Sequence, residues 1–155
     1  MRLSSAVGVA ALALLLALPA CAASKRGQAG KYDYNALAAE FCRATVMGDM
    51  AGIRPLISDQ LARDIEFAAA RGQLLPPQQL FQTYTNVVPV CEVRTRNAAI
   101  VEVHRSNPGG AAPAWTEYLV IVPQLDGTNR IDDVLFATRR SDTLRSRLTA
   151  IAAGN

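Results

Sequence analysis

The chain has 155 residues, of which 50% are hydrophobic and 19% are charged, and its formal charge is +3. This composition is typical of one globular domain and excludes an intrinsically disordered protein. The basic residues are scattered along the sequence instead of being clustered, so we do not expect the protein to bind nucleic acid.

Residues 1–22 have the layout of a secretory signal peptide. A short basic start is followed by an apolar run over residues 7–18, and Ala20-Cys21-Ala22 is a small-x-small cleavage site. The apolar run is too short to span a bilayer as a stable helix. We therefore predict cleavage after Ala22 and export to the periplasm.

The same segment supports an alternative in which the protein is a lipoprotein. Residues 18–21, Leu-Pro-Ala-Cys, resemble a bacterial lipobox, in which Cys21 would be the acylated first residue. Residues 23–31 are small, polar and glycine-containing, and they would form a linker before a single domain over residues 32–155. Lipidation of Cys21 is the only membrane attachment that the sequence predicts.

The sequence contains three cysteines. Because Cys21 belongs to the signal region, Cys42 and Cys91 remain as an even pair. Export to an oxidising compartment favours a disulfide between them, and two buried free thiols are the alternative.

Apolar residues after the linker recur at the 3.6-residue spacing of helices. Asp33 is a suitable N-cap for a first helix that ends at Gly48, and Asp49 and Ser58 can cap a second and a third. Pro55 removes a backbone donor, so the second helix is predicted to be short or kinked.

The spacing then changes to the two-residue period of β-strands. The Asp-Gly pair in LDGTN favours a hairpin turn, and Ser141 can cap a short C-terminal helix. Helices followed by an antiparallel meander predict an α+β domain with the helices on one face of a four-stranded sheet. The predicted strands cover residues 87–96, 99–105, 115–124 and 130–138.

This order of elements resembles the nuclear-transport-factor-2-like superfamily, and in particular its exported bacterial domains of unknown function. The resemblance covers residues 32–138 and rests on the leading helix, the segment GDMAGIRPLIS and a meander that ends in NRIDDVLF. It implies a cone, in which a curved sheet wraps over three helices with a pocket between them. Members of the superfamily include isomerases, dehydratases, ligand binders and interaction modules, so the fold alone does not fix an activity.

Asp132 and Asp133 are the most conspicuous candidates for chemistry. Successive residues of a regular strand point to opposite faces, so the two carboxylates should not form a dyad that shares a proton. Alternation does not decide which of the two faces inward. The inward carboxylate needs an arginine or a backbone amide as its partner, or it acts as a general base.

A bond between Cys42 and Cys91 would assign the faces of the sheet, because Cys91 would then face the helices. On the second strand, Val101 and Val103 would also face inward, and His104 would be exposed.

On the third strand, the more uniformly apolar set of side chains is predicted to face inward. Trp115 and Glu117 would then lie outside, where Glu117 could pair with His104 across the sheet. The inward set would be Thr116, Tyr118, Val120 and Val122.

We predict a non-enzymatic binding module without a cofactor or a metal ion. P-loops, dinucleotide fingerprints and serine-nucleophile motifs are absent from the sequence, and a single histidine cannot build a typical zinc site. A small apolar ligand or an envelope protein would occupy the pocket that the resemblance implies. The predicted pocket residues are Tyr118, Asp132 and Phe136.

Two other functions stay open at this point. The chain could be an isomerase or dehydratase of the steroid-isomerase type, with Asp132 or Asp133 as the base and Tyr118 as an oxyanion donor. It could instead form a homodimer through the open face of the sheet, with a contact patch made of Ile100, Trp115 and Leu119.

Arginines crowd the C-terminal part of the chain, and they allow two interpretations. They could bind an anionic partner or lipid headgroups, or they could form a solvated face. The arginines concerned are Arg139, Arg140, Arg145 and Arg147.

Overall fold

The computed structural model describes residues 33–84, 88–110 and 113–154. The signal peptide over residues 1–22, the linker over 23–31 and the acylation of Cys21 lie outside the described residues. Within the described ranges, no helix is both long enough and apolar enough to cross a membrane.

The first helix, α1, spans Tyr34–Met47 and has the caps that the sequence predicts. The Asp33 side chain accepts a hydrogen bond from the backbone N–H of Ala36 (2.9 Å). Gly48 ends the helix with a φ of 71°, in the left-handed region that a side chain disfavours.

Three helices and one 3₁₀ turn follow α1 before the sheet. Helix α2 spans Met50–Ile53 and passes into a 3₁₀ turn over Arg54–Leu56, because Pro55 interrupts the α-helical hydrogen bonds. Helix α3 spans Asp59–Ala69, and helix α4 is the single turn Pro77–Leu80.

Four antiparallel strands form one sheet in the order β1-β2-β3-β4, and a C-terminal helix follows. This arrangement confirms the predicted α+β class. The cone shape stays a prediction from the resemblance. The elements are β1 Val90–Asn97, β2 Ile100–Ser106, β3 Trp115–Pro123, β4 Asn129–Leu135 and α5 Leu144–Ala152.

Thr143, and not Ser141, is the N-cap of α5. The Thr143 hydroxyl accepts a hydrogen bond from the Ser146 N–H (3.1 Å), and the Ser146 hydroxyl accepts one from the Thr143 N–H (2.9 Å). This reciprocal capping box satisfies two backbone donors at once, which a cap at Ser141 would not do.

Helix α1 contacts β1 near its N-terminus and again at Cys42. Asn35 Oδ1 accepts hydrogen bonds from the backbone N–H and the hydroxyl of Thr95, both at 2.8 Å. Cys42 and Cys91 lie within disulfide distance, with Cα atoms 6.1 Å apart.

The side of the sheet that carries Val101 and Val103 contributes to the buried core, and we call it the inner face. Both valines are 0% exposed, which confirms their predicted orientation. They belong to one apolar cluster with residues of the helices: Ala38, Phe41, Ile53, Leu61, Leu144 and Leu148.

The predicted orientation of β3 is wrong. Val101 pairs with Leu119 and Val103 pairs with Glu117, so the odd-numbered residues of β3 share the inner face. The sequence pattern was misleading because a charged residue, Glu117, occupies an inner position and makes that face look polar. The buried residues are Trp115, Glu117, Leu119 and Ile121, whereas the predicted inward set faces the other way.

Candidate functional site

A groove of about 650 Å³ lies on the opposite side of β3, which we call the outer face. It runs beside β3 and β4 and continues along the chain that leaves β4. We call it the Tyr118 groove, and its lining consists of Thr116, Tyr118, Leu135, Phe136, Ala137, Arg139 and Arg140.

Strand pairing places the first wall of the groove. Tyr118 pairs with Leu135 across β3 and β4, and both side chains are half-buried. Side chains directly opposite each other in an antiparallel pair lie close together, so this pair forms a continuous apolar surface.

The second wall is the chain after β4, which hydrogen bonds hold in place. The Phe136 N–H donates to the Asp142 carbonyl (2.9 Å), and the Ala137 N–H donates to the Thr83 hydroxyl (2.9 Å). These bonds fix the chain between β4 and α5, in which Arg139 and Arg140 belong to the groove lining.

Arg147 packs against the ring of Phe136. The Arg147 guanidinium lies 3.6 Å from the centre of the Phe136 ring, a cation–π contact. Asp142 pairs with Arg147 (Nε to Oδ1, 2.8 Å), and this hydrogen bond holds the pKa of the Asp142 carboxyl below its ordinary value. Arg147 also donates to the Gln82 and Thr83 carbonyls (3.0 and 3.1 Å), so its own hydrogen-bonding capacity is committed to the fold.

Arg139 and Arg140 differ from Arg147 in their surroundings. Both are exposed, and within the described residues neither side chain forms an ion pair or a hydrogen bond. Asp142 interacts electrostatically with Arg139, but its carboxylate is already bonded to Arg147 and to the Thr138 hydroxyl. The lining of the groove therefore includes two arginines that form no hydrogen bond or ion pair within the described residues.

Asp132, which the sequence predicts in the pocket with Tyr118 and Phe136, lies elsewhere. Its carboxylate accepts hydrogen bonds from the Ser58 hydroxyl (2.5 Å) and from Arg145 Nη2 (2.7 Å). Of the three predicted pocket residues, the groove brings together only Tyr118 and Phe136.

The reasoning that placed Asp132 and Asp133 on opposite faces fails because of a β-bulge. Val120 pairs with Asp133, whereas the next residue, Ile121, pairs with Ile131, so Asp132 is the extra residue of the bulge. A bulge interrupts the two-residue alternation on which the prediction depended. Nothing in the local sequence marks such an insertion, because both aspartates suit either arrangement.

Both carboxylates contact Arg145 as a result. Asp133 Oδ1 accepts a hydrogen bond from the Arg145 backbone N–H (3.1 Å), in the first turn of α5, where backbone donors lack helical partners. Arg145 also bonds the Asp132 carbonyl (Nε, 3.0 Å) and the Asp64 carboxylate. This cluster joins α3, β4 and α5, and each carboxylate in it has a structural partner.

A second polar cluster is fully buried under the inner face. Arg105 and Glu117 are both 0% exposed, and Arg105 Nε donates to Glu117 Oε2 (2.6 Å). Glu117 Oε1 accepts from Trp115 Nε1 (2.8 Å) and from the Thr83 N–H. Arg105 Nη2 donates to the Phe81 carbonyl (3.2 Å), whereas Nη1 has no partner among the described residues.

The predicted partnership between His104 and Glu117 is wrong for the same reason as the orientation of β3. His104 is exposed, as predicted, and its Nδ1 lies 3.3 Å from the hydroxyl of Thr116, its cross-strand neighbour. Glu117 points to the other face and is bonded to Arg105.

The predicted dimer patch does not exist as one surface. Trp115 and Leu119 are buried on the inner face, with exposures of 8% and 0%. Ile100 is half-buried and pairs with Val120 on the outer face.

The described residues also offer no cluster of three or more His, Cys, Asp or Glu side chains that could hold a metal ion. Comparisons of the chain with protein-family models, with curated proteins and with solved structures found no match.

Proposed function

We propose that the protein is an exported, non-enzymatic binding module and that the Tyr118 groove is its ligand site. Export rests on the signal-like first 22 residues, and membership of the nuclear-transport-factor-2-like superfamily rests on the order of elements. Export and membership of this superfamily are therefore proposed.

The observation that carries the proposal is the composition of the groove. The half-buried side chains of Tyr118 and Leu135 border a space of about 650 Å³, whose lining also includes Phe136, Ala137 and two arginines. Ligand sites typically enclose roughly 300–1,000 Å³ with mostly apolar walls and a few polar groups. The groove has this size and composition.

The carboxylates favour binding over catalysis. A general base must reach its proton in the ligand site, but Asp132 and Asp133 are bonded to Arg145 and do not line the groove with Tyr118. The arrangement of base and oxyanion donor that a steroid-isomerase type of enzyme needs is therefore not supported.

The test is NMR chemical-shift mapping with 4-phenylbutan-1-ol, a neutral probe with an aromatic ring. We expect shifts concentrated at residues 116–118 and 135–140. Tyr118→Ala should abolish them, because it removes one apolar wall. Val122→Ala is the matched control, since Val122 lies on the same strand and face but outside the groove lining. Shifts confined to inner-face residues such as Val103 would contradict the proposal.

A further inference from the structure

We propose that the ligand of the Tyr118 groove is a small amphipathic anion, with an apolar body and one carboxylate or phosphate group. This inference rests on the proposed function, because it assigns the chemistry of the same site. Its new element is the sign of the ligand's charge and the position of the charged group beside Arg139 and Arg140.

The lining of the Tyr118 groove is positively charged. Its lining, in the described part of the chain, contains two arginines and no carboxylate. The nearby Asp142 is bonded to Arg147 and Thr138, so it neutralises the groove only in part. A cationic surface that is only partly compensated attracts an anion and disfavours a cation.

Three other clefts formed by described residues differ from the Tyr118 groove in the charge of their linings. Each of these clefts, of about 280–420 Å³, contains at least one carboxylate together with an arginine, so the formal charge of its lining is zero or negative. The pairs include Asp64 with Arg71, Asp126 with Arg130, and Glu92 with Arg94. The Tyr118 groove differs from these clefts in its unbalanced positive charge and in its larger volume.

The apolar and the cationic residues of the groove come from different parts of the chain. The sheet supplies Tyr118 and Leu135, whereas the chain after β4 supplies the arginines. An apolar body can therefore lie against Tyr118 and Leu135 while its charged end reaches the guanidinium groups. Guanidinium groups bind carboxylate and phosphate oxygens through paired hydrogen bonds, which gives both affinity and orientation.

The test compares two probes of matched shape, 4-phenylbutanoate and 4-phenylbutan-1-ol, by isothermal titration calorimetry on the purified protein. We expect the carboxylate to bind about 10-fold more tightly, because an arginine–carboxylate contact adds a charge-assisted hydrogen bond. Only the carboxylate should weaken when the salt concentration rises.

The double variant Arg139→Gln/Arg140→Gln should abolish the preference for the carboxylate and leave the binding of the alcohol unchanged. Arg94→Gln is the matched control, because Arg94 is an exposed arginine of β1 outside the groove. Circular dichroism of each variant would show that the fold is intact.

The outcomes separate the inference from the proposed function. Equal affinity for both probes in the wild type would overturn the anion inference while leaving the groove as a binding site. Failure of both probes to bind would overturn the proposed function itself. A carboxylate preference that survives in the double variant would overturn the role of the two arginines.

The anion could be a free metabolite or a lipid headgroup, and co-sedimentation distinguishes these sources. Binding to phosphatidylglycerol vesicles but not to phosphatidylcholine vesicles, lost in the double variant, would support the inference with a lipid as the source. Absence of vesicle binding, together with a carboxylate preference, would support it with a free small anion.

Discussion

The two faces of β3 differ in whether the charged side chains beside them are bonded to partners in the protein. On the inner face, Glu117 is fully buried and accepts hydrogen bonds from three donors of the protein itself. On the outer face, Tyr118 lies in a groove whose arginines have no partner within the described residues. The comparison teaches that a charged side chain, in a strand or in the chain after it, indicates a ligand site only where the fold gives it no bonded partner.

The same distinction separates the arginines of the C-terminal region. Arg145 and Arg147 lie on α5 and are bonded to carboxylates and backbone carbonyls. Arg139 and Arg140, only a few residues earlier, are exposed beside apolar side chains. Four arginines that look equivalent in the sequence therefore divide into two that stabilise the fold and two that are available to a ligand.

The largest effect should follow from breaking the buried pair of the inner face. Glu117→Leu would leave the Arg105 guanidinium buried with only the Phe81 carbonyl as a partner. Removing one member of a buried ion pair typically costs about 3–5 kcal/mol, and we expect a loss of this size in urea unfolding. The double variant Arg105→Met/Glu117→Leu should recover much of it. A loss below about 1 kcal/mol for Glu117→Leu would contradict the structural role of the pair.

The cysteine pair should also have a large effect on stability. A disulfide between Cys42 and Cys91 would close a loop with a sequence separation of 49 residues, which restricts the unfolded chain. We expect Cys42→Ala/Cys91→Ala to lower the free energy of unfolding by about 2–4 kcal/mol relative to the oxidised protein. Reaction of both thiols with a maleimide in the denatured, unreduced protein would contradict the disulfide.

Asp132→Asn should affect stability and leave binding intact. The change weakens the hydrogen bonds from Ser58 and Arg145, so we expect a loss of about 1–3 kcal/mol in thermal or urea unfolding. The affinity for 4-phenylbutanoate should stay within about twofold, because Asp132 does not line the groove. A loss of binding without a loss of stability would restore Asp132 as a ligand-site residue.

Asp142 should give the smallest effect, and this effect should depend on pH. The hydrogen bond from Arg147 holds the pKa of Asp142 in the folded protein below its ordinary value of 3.8. Such a group stabilises the fold above its unfolded-state pKa, and the stabilisation is lost as the pH falls through the folded-state pKa. We expect Asp142→Asn to cost about 1 kcal/mol at pH 7 and progressively less below about pH 4. A constant difference between the two proteins from pH 7 to pH 2 would contradict this account.

The sequence predicted the order of elements well because caps and periodicity are local signals. Asp33, Gly48 and Ser58 act as predicted in the structure, and Pro55 produces the expected interruption. Local residue preferences fix these positions without knowledge of the rest of the fold.

The faces of the sheet were harder to predict because they depend on partners that are distant in the sequence. Glu117 made the inner face of β3 look polar, and only Arg105 and Thr83 explain its burial. Asp132, the extra residue of the bulge, is bonded to Ser58 and Arg145, which both lie outside the sheet. Two of the three predicted pocket residues, Tyr118 and Phe136, share the groove. The sequence did not predict that Arg139 and Arg140 lie beside them, because their position depends on the path of the chain after β4.

The most direct test of the contrast between the two faces uses two neighbouring residues of β3. Leu119 is 0% exposed on the inner face, whereas Tyr118 lines the groove on the outer face. For each alanine variant, urea unfolding and the titration of 4-phenylbutanoate are measured side by side. We expect Leu119→Ala to lose about 2–5 kcal/mol of stability and to keep its affinity, whereas Tyr118→Ala should lose less than about 1 kcal/mol and fail to bind. Loss of binding in Leu119→Ala, with binding retained in Tyr118→Ala, would contradict the account and place the ligand site on the inner face.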